Sequence, residues 1–193
     1  MAIGGCSLTE NPHEDKTLKG DEAVKLIDSM RAKGSYEAAR QRLTDTAKTI
    51  AERIAAAVPG QTWKFNDDPN VQEAWKGGQR CEELAMNIAR RPMADSVVFG
   101  RLFSTEEFAT AHDIVREEAA QYGATDDSSL FNDPAKRDFD VQGNGYKFNI
   151  GQMKRATLNI TGDCFLMQSV VDSPPGQLPS EPPRVPTDTR PTP

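Results

Sequence analysis

The sequence has few of the residues that carry most enzymatic and metal chemistry. Its 193 residues include three cysteines and two histidines. It contains no Gly-x-Ser-x-Gly, His-Glu-x-x-His or phosphate-binding glycine motif. His13 lies in a polar segment, and His112 lies in a predicted helix where we expect charged neighbours to satisfy its ring. We therefore predict no catalytic residue, no metal site and no cofactor.

Positive charge and long apolar runs are also scarce. The 23 basic residues are outnumbered by 29 acidic residues, which gives a net charge of −6. Binding to nucleic acid without sequence preference requires a basic surface that neutralises phosphates. No run approaches the roughly 20 apolar residues that a membrane-spanning helix needs. The composition therefore favours neither a nucleic-acid-binding protein nor one that crosses a membrane as a helix.

The start of the chain has a distinctive pattern. Ile3-Gly4-Gly5-Cys6 is typical of a bacterial lipobox, in which the cysteine becomes the lipidated first residue. The five residues before Cys6 are too few for a secretory signal, which needs about 7–15 apolar residues before its cleavage site. We expect the signal to have been removed, with Met1-Ala2 added or retained and the last residues of the cleavage motif kept. Cys6 is therefore predicted to anchor the natural precursor to a membrane through fatty acyl chains such as palmitate.

The two remaining cysteines leave two interpretations open. Cys81 and Cys164 form an even pair, as in an exported lipoprotein with one disulfide bond. The alternative is two unrelated buried thiols, because free cysteine often acts as a small core residue. We favour the disulfide bond because Cys6 independently indicates export.

The chain is predicted to divide into three parts. Residues 1–19 form the lipobox remnant and a flexible polar spacer, residues 20–172 a single α+β domain, and residues 173–193 a Pro-rich extended tail. Eight of the 13 prolines lie from residue 174 onward, which explains why the tail has no core of its own.

Apolar periodicity predicts helices and an antiparallel sheet. Apolar residues at three- or four-residue spacing predict four helices, over residues 21–33, 36–58, 79–90 and 105–122. Alternating segments predict strands at residues 62–65 and 96–103, a hairpin around Asn144-Gly145, and a second hairpin that joins 156–160 to 164–166. We predict a two-layer α+β fold, with a mainly antiparallel sheet and helices packed mostly on one face.

In this fold the disulfide bond would join the third predicted helix, which carries Cys81, to the last strand, which carries Cys164. That pairing requires the helix to lie over the sheet.

An aromatic residue provides the best indication of binding. Trp75 lies in a segment, residues 66–78, that is rich in Asp, Asn, Pro and Gly and is predicted to be a loop. A half-exposed tryptophan there could form the lip of a ligand site. The other interpretation, which we favour, is that Trp75 folds inward and covers the edge of the sheet.

Three groups of carboxylates have possible chemical roles. Asp67-Asp68 and Asp126-Asp127 could offer oxygen ligands to Ca²⁺, but they lack the spacing of a calcium loop, so turns and helix caps are favoured. Asp138 and Asp140 share one face of a predicted strand. A glycosidase pair requires two carboxyl groups about 5–9 Å apart beside a groove, and solvated strand carboxylates are the simpler interpretation.

Several long segments are similar to one known family. Together with Cys6, they resemble the mycobacterial LppA/LppB/LppV lipoproteins; the segments are Lys33–Arg40, Pro59–Phe65, Ile114–Ala120, Asp140–Tyr146 and Ala156–Leu166. The resemblance extends over nearly the whole chain from Cys6 to the proline tail. It implies an exported lipoprotein of the cell envelope that faces outward. No catalytic residues can be carried over from the family, because it has no agreed biochemical activity.

These observations leave three functional hypotheses. The first is a non-enzymatic envelope lipoprotein that binds a lipid or protein partner or gives structural support. The second is a carrier of a small hydrophobic or lipid ligand, which predicts an apolar cavity between the helices and the sheet. The third is a wall-directed hydrolase, which requires a cleft with convergent carboxylates or a histidine.

Overall fold

The computed structural model describes residues 17–133 and 136–179 of the chain. The helices in these residues are α1 (Gly20–Met30), α2 (Tyr36–Ala57), α3 (Pro69–Gly77), α4 (Thr105–Ala120) and α5 (Gln168–Val171), with a 3-10 turn at Arg31–Lys33. The strands are β1 (Trp63–Phe65), β2 (Gln79–Arg80), β3 (Ala89–Arg91), β4 (Val97–Phe99), β5 (Asp126–Ser128), β6 (Asn132–Asp133), β7 (Lys136–Gly143), β8 (Tyr146–Gln152), β9 (Ala156–Thr161) and β10 (Phe165–Leu166).

Local signals in the sequence set the two long helices. The Ser35 side chain accepts the Ala38 N–H at the start of α2, and Ser104 caps α4 in a capping box with Glu107. After α2, Gly60 adopts a positive φ of 73°, which only glycine takes at low cost. The predicted helices 36–58 and 105–122 are confirmed.

The large sheet is antiparallel throughout. Its strands follow the order β1-β4-β9-β8-β7-β5, and β6 also pairs with β7. The β7–β8 hairpin turns at Asn144 and Gly145, whose φ values are 49° and 82°. Both central residues of such a turn need positive φ, which explains the Asn-Gly sequence. The predicted hairpin is confirmed, and so is the α+β fold class.

The main core lies between this sheet and the helices α2 and α4. Leu43, Ile50 and Val115 from the helices meet Phe148 and Ile150 from β8, and each is at most 1% exposed. These side chains fill the layer in which the carrier hypothesis placed an apolar cavity, so the core does not support a ligand inside it.

A second, smaller core lies beside a three-stranded sheet of order β10-β3-β2. Ala23 and Ile27 of α1 pack there with Leu84, Leu166 and Val170. The predicted second hairpin is wrong: β9 belongs to the large sheet, whereas β10 pairs with β3. Three residues after β9 are enough for the chain to leave one sheet and join the other.

Two further predictions between residues 66 and 90 are wrong. Residues 79–90 form β2, a series of turns and the start of β3, and not a helix. Cys81 and Leu84, whose three-residue spacing contributed to the predicted helix, are both buried, but they lie in turns that pack against α1. The predicted loop at 66–78 contains α3, which Asp68 caps by accepting the Asn70 N–H and which begins at Pro69, the favoured first-turn position.

Candidate functional site

The predicted lipid attachment site, Cys6, lies outside the described residues, as does His13. The described chain begins at Thr17, beside the disulfide loop. The Leu18 N–H donates to the Glu83 carbonyl at 2.9 Å, and the Arg80 guanidinium donates to the Thr17 hydroxyl at 2.9 Å. Any anchor at Cys6 therefore joins the domain at the end that holds the small sheet. Among the described helices, none is long and apolar enough to cross a membrane.

Cys81 and Cys164 form a disulfide bond. Their Cα atoms are 5.9 Å apart although 83 positions separate them in sequence. The sequence predicted that this bond joins a helix to the large sheet, and that prediction is wrong. The bond links the turn after β2 to the segment between β9 and β10, and Cys81 is 3% exposed. It therefore fastens the two ends of the small sheet region, over which α1 packs.

A groove of about 530 Å³ lies beside this bond. Its lining mixes apolar side chains of α1, Leu26 and Met30, with charged ones such as Arg80, Glu83 and Asp163. Asp163 is bound by the ammonium of Lys33. The groove is therefore mixed in charge, with no single sign for a ligand to complement.

Trp75 lies on α3, not in a loop, and is half-buried. It lines a shallow apolar groove of about 360 Å³ with Val71, Ala74 and Met93. Its indole Nε1 is buried and has no hydrogen-bond partner in the described part of the chain. Both features agree with an aromatic at the edge of a ligand site, and the ligand-lip role of Trp75 remains a prediction.

His112 is held by its neighbours on α4. Its Nδ1 lies 2.9 Å from an Asp113 oxygen, and the Arg116 guanidinium lies 3.2 Å from its Nε2. The imidazole also packs on Phe139, with the ring centroids 3.5 Å apart. As predicted, charged neighbours satisfy this histidine.

The carboxylates at the helix caps and the sheet edge are engaged in the fold. Asp67 pairs with Lys64 at 2.5 Å, and Asp127 of the edge strand β5 pairs with Arg116 at 2.5 Å. Asp68 caps α3. No group of three or more His, Cys, Asp or Glu residues that could hold a metal occurs in residues 17–133 and 136–179.

Asp138 and Asp140 share the outer face of β7, as the alternation predicted. Asp140 accepts from the Asn149 amide at 2.7 Å and pairs with Lys147 at 2.9 Å. The Asp138 carboxylate accepts the Phe131 N–H at 2.7 Å. Each carboxylate therefore has structural partners, and the two serve different parts of the sheet.

Glu107, Tyr36 and Tyr146 are among the side chains with shifted pKa values. The bidentate Arg101 guanidinium, followed by the Ser104 N–H, lowers the pKa of Glu107 to about 2. Burial raises the pKa of the Tyr36 and Tyr146 phenols above their ordinary value. The Tyr36 hydroxyl donates to the Lys76 carbonyl at 2.7 Å, so it acts as a hydrogen-bond donor within the fold.

A cleft that the sequence did not predict lies at the end of the large sheet. It has a volume of about 370 Å³ and lies beside Gly151 of β8, between Phe131 and Met153. A glycine inside a strand often marks a close approach of a ligand or another backbone. Gly151 is the one glycine inside β8, and this was the signal in the sequence for the cleft.

The chain is similar to known mycobacterial proteins over most of its length. Residues 11–168 match the family model LppA, which is described as a lipoprotein confined to pathogenic Mycobacterium. The protein named LppB in Mycobacterium tuberculosis H37Rv is 63% identical over 191 residues, which is 99% of this chain and 87% of the relative. LppA of the same strain is 62% identical over 189 residues, which is 98% of this chain and 86% of the relative.

A solved structure shares the fold. The crystal structure of LppA from Mycobacterium tuberculosis aligns with a TM-score of 0.82 at 64% sequence identity, covering 83% of this chain and 95% of the other.

Proposed function

This chain belongs to the LppA family of lipoproteins, and we propose that it is an exported protein of the cell envelope, held on the outer face of the membrane through a lipid on Cys6. We further propose that it acts there by binding a partner or by structural support, and not by catalysis.

The observation that carries the proposal is the Cys81–Cys164 disulfide bond in a member of a lipoprotein family. Disulfide bonds persist in oxidising compartments outside the cytoplasm and are rare inside it. The lipobox-like Ile3–Cys6 segment independently indicates export, which leaves Cys6 as the cysteine outside the disulfide pair.

The candidate general acids and bases among the described residues are engaged in the fold, which supports a binding role over a catalytic one. His112 is stacked on Phe139 and lies between charged neighbours. Asp138 and Asp140 are bound by backbone N–H groups and by Asn149 and Lys147. A wall-directed hydrolase needs a proton donor and acceptor free to face substrate, whereas these groups stabilise the sheet.

Metabolic labelling with an alkyne fatty acid tests the anchor. In the natural precursor with its secretory signal, we expect the label on the wild-type protein and none on Cys6→Ala. Ser7→Ala is the matched control, because it changes the next residue and keeps the thiol. Label that persists in Cys6→Ala would show that the lipid is attached elsewhere and would refute the anchor.

Native mass spectrometry of the protein taken from its own envelope separates binding from support. A bound lipid or protein that stays with the chain would favour binding. Recovery of the protein without any bound lipid or protein would favour structural support.

A further inference from the structure

A cleft opens at the end of the large sheet where β8 leads into β9. Gly151 and Thr157 of these strands line it together with Phe131 and Met153, and we name it the Gly151 cleft. Its lining consists mostly of apolar atoms, and its volume is about 370 Å³. Small-molecule sites occupy roughly 300–1,000 Å³ and are mainly apolar with a few polar groups.

Exposed apolar side chains are concentrated at this cleft. Phe131 and Met153 line the cleft and are 42% and 57% exposed, and Leu130, which directly precedes Phe131 in the chain, is 80% exposed. The described residues include only three other exposed large apolar side chains. Isolated exposed apolar residues are ordinary, but a contiguous group favours contact with another apolar surface.

Positively charged side chains lie beside the apolar residues of the cleft. Lys136, Lys154 and Arg155 all line the cleft. The Lys136 ammonium lies 3.2 Å from the centroid of the Phe131 ring, while Lys154 and Arg155 are exposed and make no ion pair with any residue in 17–133 or 136–179. Three cations at one apolar cleft favour an anion in a chain whose net charge is −6.

The one carboxylate in the lining accepts hydrogen bonds from the backbone of a neighbouring segment. Asp138 accepts the backbone N–H groups of Leu130 and Phe131 at 3.0 and 2.7 Å, which holds the segment that carries the apolar wall. Arg137 is 6% exposed and donates to the Thr105 hydroxyl and the Asp133 carbonyl, so it is a structural cation. The cations left to face a ligand are therefore the lysines and Arg155.

We propose that the Gly151 cleft binds a small anionic amphiphile. Its alkyl chain would lie against Phe131 and Met153, and its carboxylate or phosphate would lie among Lys136, Lys154 and Arg155. The inference deepens the binding role proposed above and rests on it, but it does not depend on lipidation of Cys6.

The position of the cleft suits that role. Gly151 lies near the end of β8, and Gly145 directly precedes its start, so the two are about 20 Å apart at the usual rise per strand residue. Gly145 is next to Asp163 and the disulfide end, where the chain from Cys6 enters the domain. The cleft therefore lies about the length of β8 away from the end nearest the proposed anchor.

Titration of the full, unlipidated chain with decanoate tests the proposal. We expect the amide resonances of residues 151–157 to shift, with decanoate below its micelle-forming concentration. Three exposed ion pairs, each of modest strength, should make decanoate bind at least about fivefold more tightly than 1-decanol at low salt. High salt should reduce that preference. Decyl phosphate serves as the second arm and shows which anionic group is preferred.

Two variants separate the apolar and the charged parts of the site. A side chain at Gly151 meets its nearest neighbour, the Arg137 carbonyl, at an ordinary 3.5 Å and needs no unusual backbone. Gly151→Leu should therefore fill the cleft and weaken decanoate binding at least about tenfold. Gly77→Leu is the matched control, at a glycine with open space, and should leave binding unchanged.

The double variant Lys154→Gln/Arg155→Gln should remove most of the preference for decanoate over 1-decanol. The separate variant Lys154→Arg/Arg155→Lys keeps both positive charges and should retain that preference. This pair of variants keeps the proposal testable if Gly151→Leu fails to fold.

Four results would overturn the proposal. These are equal affinity for decanoate and 1-decanol, equal affinity for butyrate and decanoate, unchanged binding in Gly151→Leu, and binding only to anionic phospholipid vesicles without shifts at residues 151–157. The last would indicate contact with a membrane surface. Because none of these outcomes involves Cys6, failure here leaves the labelling test of the anchor intact.

Discussion

At the scale of single residues, the side-chain amide of Gln152 makes the hydrogen bonds that a neighbouring strand would otherwise make to the backbone of Phe103. It is 3% exposed, its Oε1 accepts the Phe103 N–H at 2.8 Å, and its Nε2 donates to the Phe103 carbonyl at 3.1 Å. One amide side chain therefore satisfies both polar groups of a buried backbone position that precedes α4. Buried backbone groups without partners are costly, so this residue fixes the path of the chain there.

Replacing Gln152 with leucine should leave both Phe103 groups without partners. Each unsatisfied buried group costs about 1–3 kcal/mol, so we expect the free energy of unfolding to fall by about 2–4 kcal/mol. Urea denaturation followed by circular dichroism measures this change. Gln177→Leu, at an exposed glutamine, should change stability by no more than about 0.5 kcal/mol. Equal stability of the two variants would show that water replaces the amide.

At the scale of elements, the start of α4 is fixed by charge as well as by its cap. The Glu107 carboxylate accepts two hydrogen bonds of 2.7 Å from Arg101 and one of 2.8 Å from the Ser104 N–H. These contacts favour the charged form and lower the pKa of Glu107 from 4.5 to about 2. The capping box was readable from Ser104-Thr105-Glu106-Glu107, whereas the Arg101 partner was not.

The low pKa of Glu107 predicts a specific loss of stability in acid. Because the folded value lies below the unfolded one, its contribution is fully present above about pH 4.5 and is lost as pH falls towards 2. Glu107→Gln should therefore differ most from wild type near neutral pH and least near pH 2. Urea midpoints measured across this range test the difference.

Glu73→Gln is the control for this pH dependence, because Glu73 is an exposed carboxylate of α3. We expect its stability profile to follow that of the wild type at every pH. A Glu107→Gln profile that is parallel to the wild type throughout would contradict the role assigned to the Arg101 pair.

At the scale of the whole molecule, two cores share one chain. The large core joins α2 and α4 to the large sheet, and the small core joins α1 and α5 to the three-stranded sheet. Arg31 ties the end of the domain to α1 by donating to the carbonyls of Val170 and Val171 at 2.8 and 2.9 Å. The disulfide bond lies in the smaller core, which has less buried apolar surface to stabilise it than the large core has.

Removing the disulfide bond with Cys81→Ala/Cys164→Ala should lower the free energy of unfolding by about 2–5 kcal/mol. The physical reason is the greater conformational freedom of the unfolded chain when a loop spanning 83 positions is opened. We also expect amide hydrogen exchange around Leu84 and Val170 to speed up more than in β8 and β9. Reduced wild type should match the double variant.

Cys6→Ser is the matched control, because it removes a cysteine outside the pair, and its stability should equal that of the wild type. A double variant as stable as the oxidised protein would show that the small core holds together without the bond.

The sequence by itself determined what is encoded locally. The apolar periodicity and caps of α2 and α4, the Asn144-Gly145 turn and the alternation of β7 and β8 identified those elements and the α+β class. Asp68 and Pro69 carried the cap and first-turn signals of α3 too, but the Asn, Asp and Gly residues around them resembled a loop. The three-residue spacing of Cys81 and Leu84 resembled a helix because turns can bury the same positions.

Only the tertiary structure decided which distant segments meet. β3 pairs on one side with β2 and on the other with β10, about 75 residues later. The pairing with β10 takes Cys164 away from the large sheet. The Gly151 cleft likewise requires Phe131 to come beside β8 and β9. Local sequence carries capping and periodicity, because these depend on residues within a few positions. Strand pairing and clefts depend on contacts between residues far apart in the chain, which a local pattern does not record.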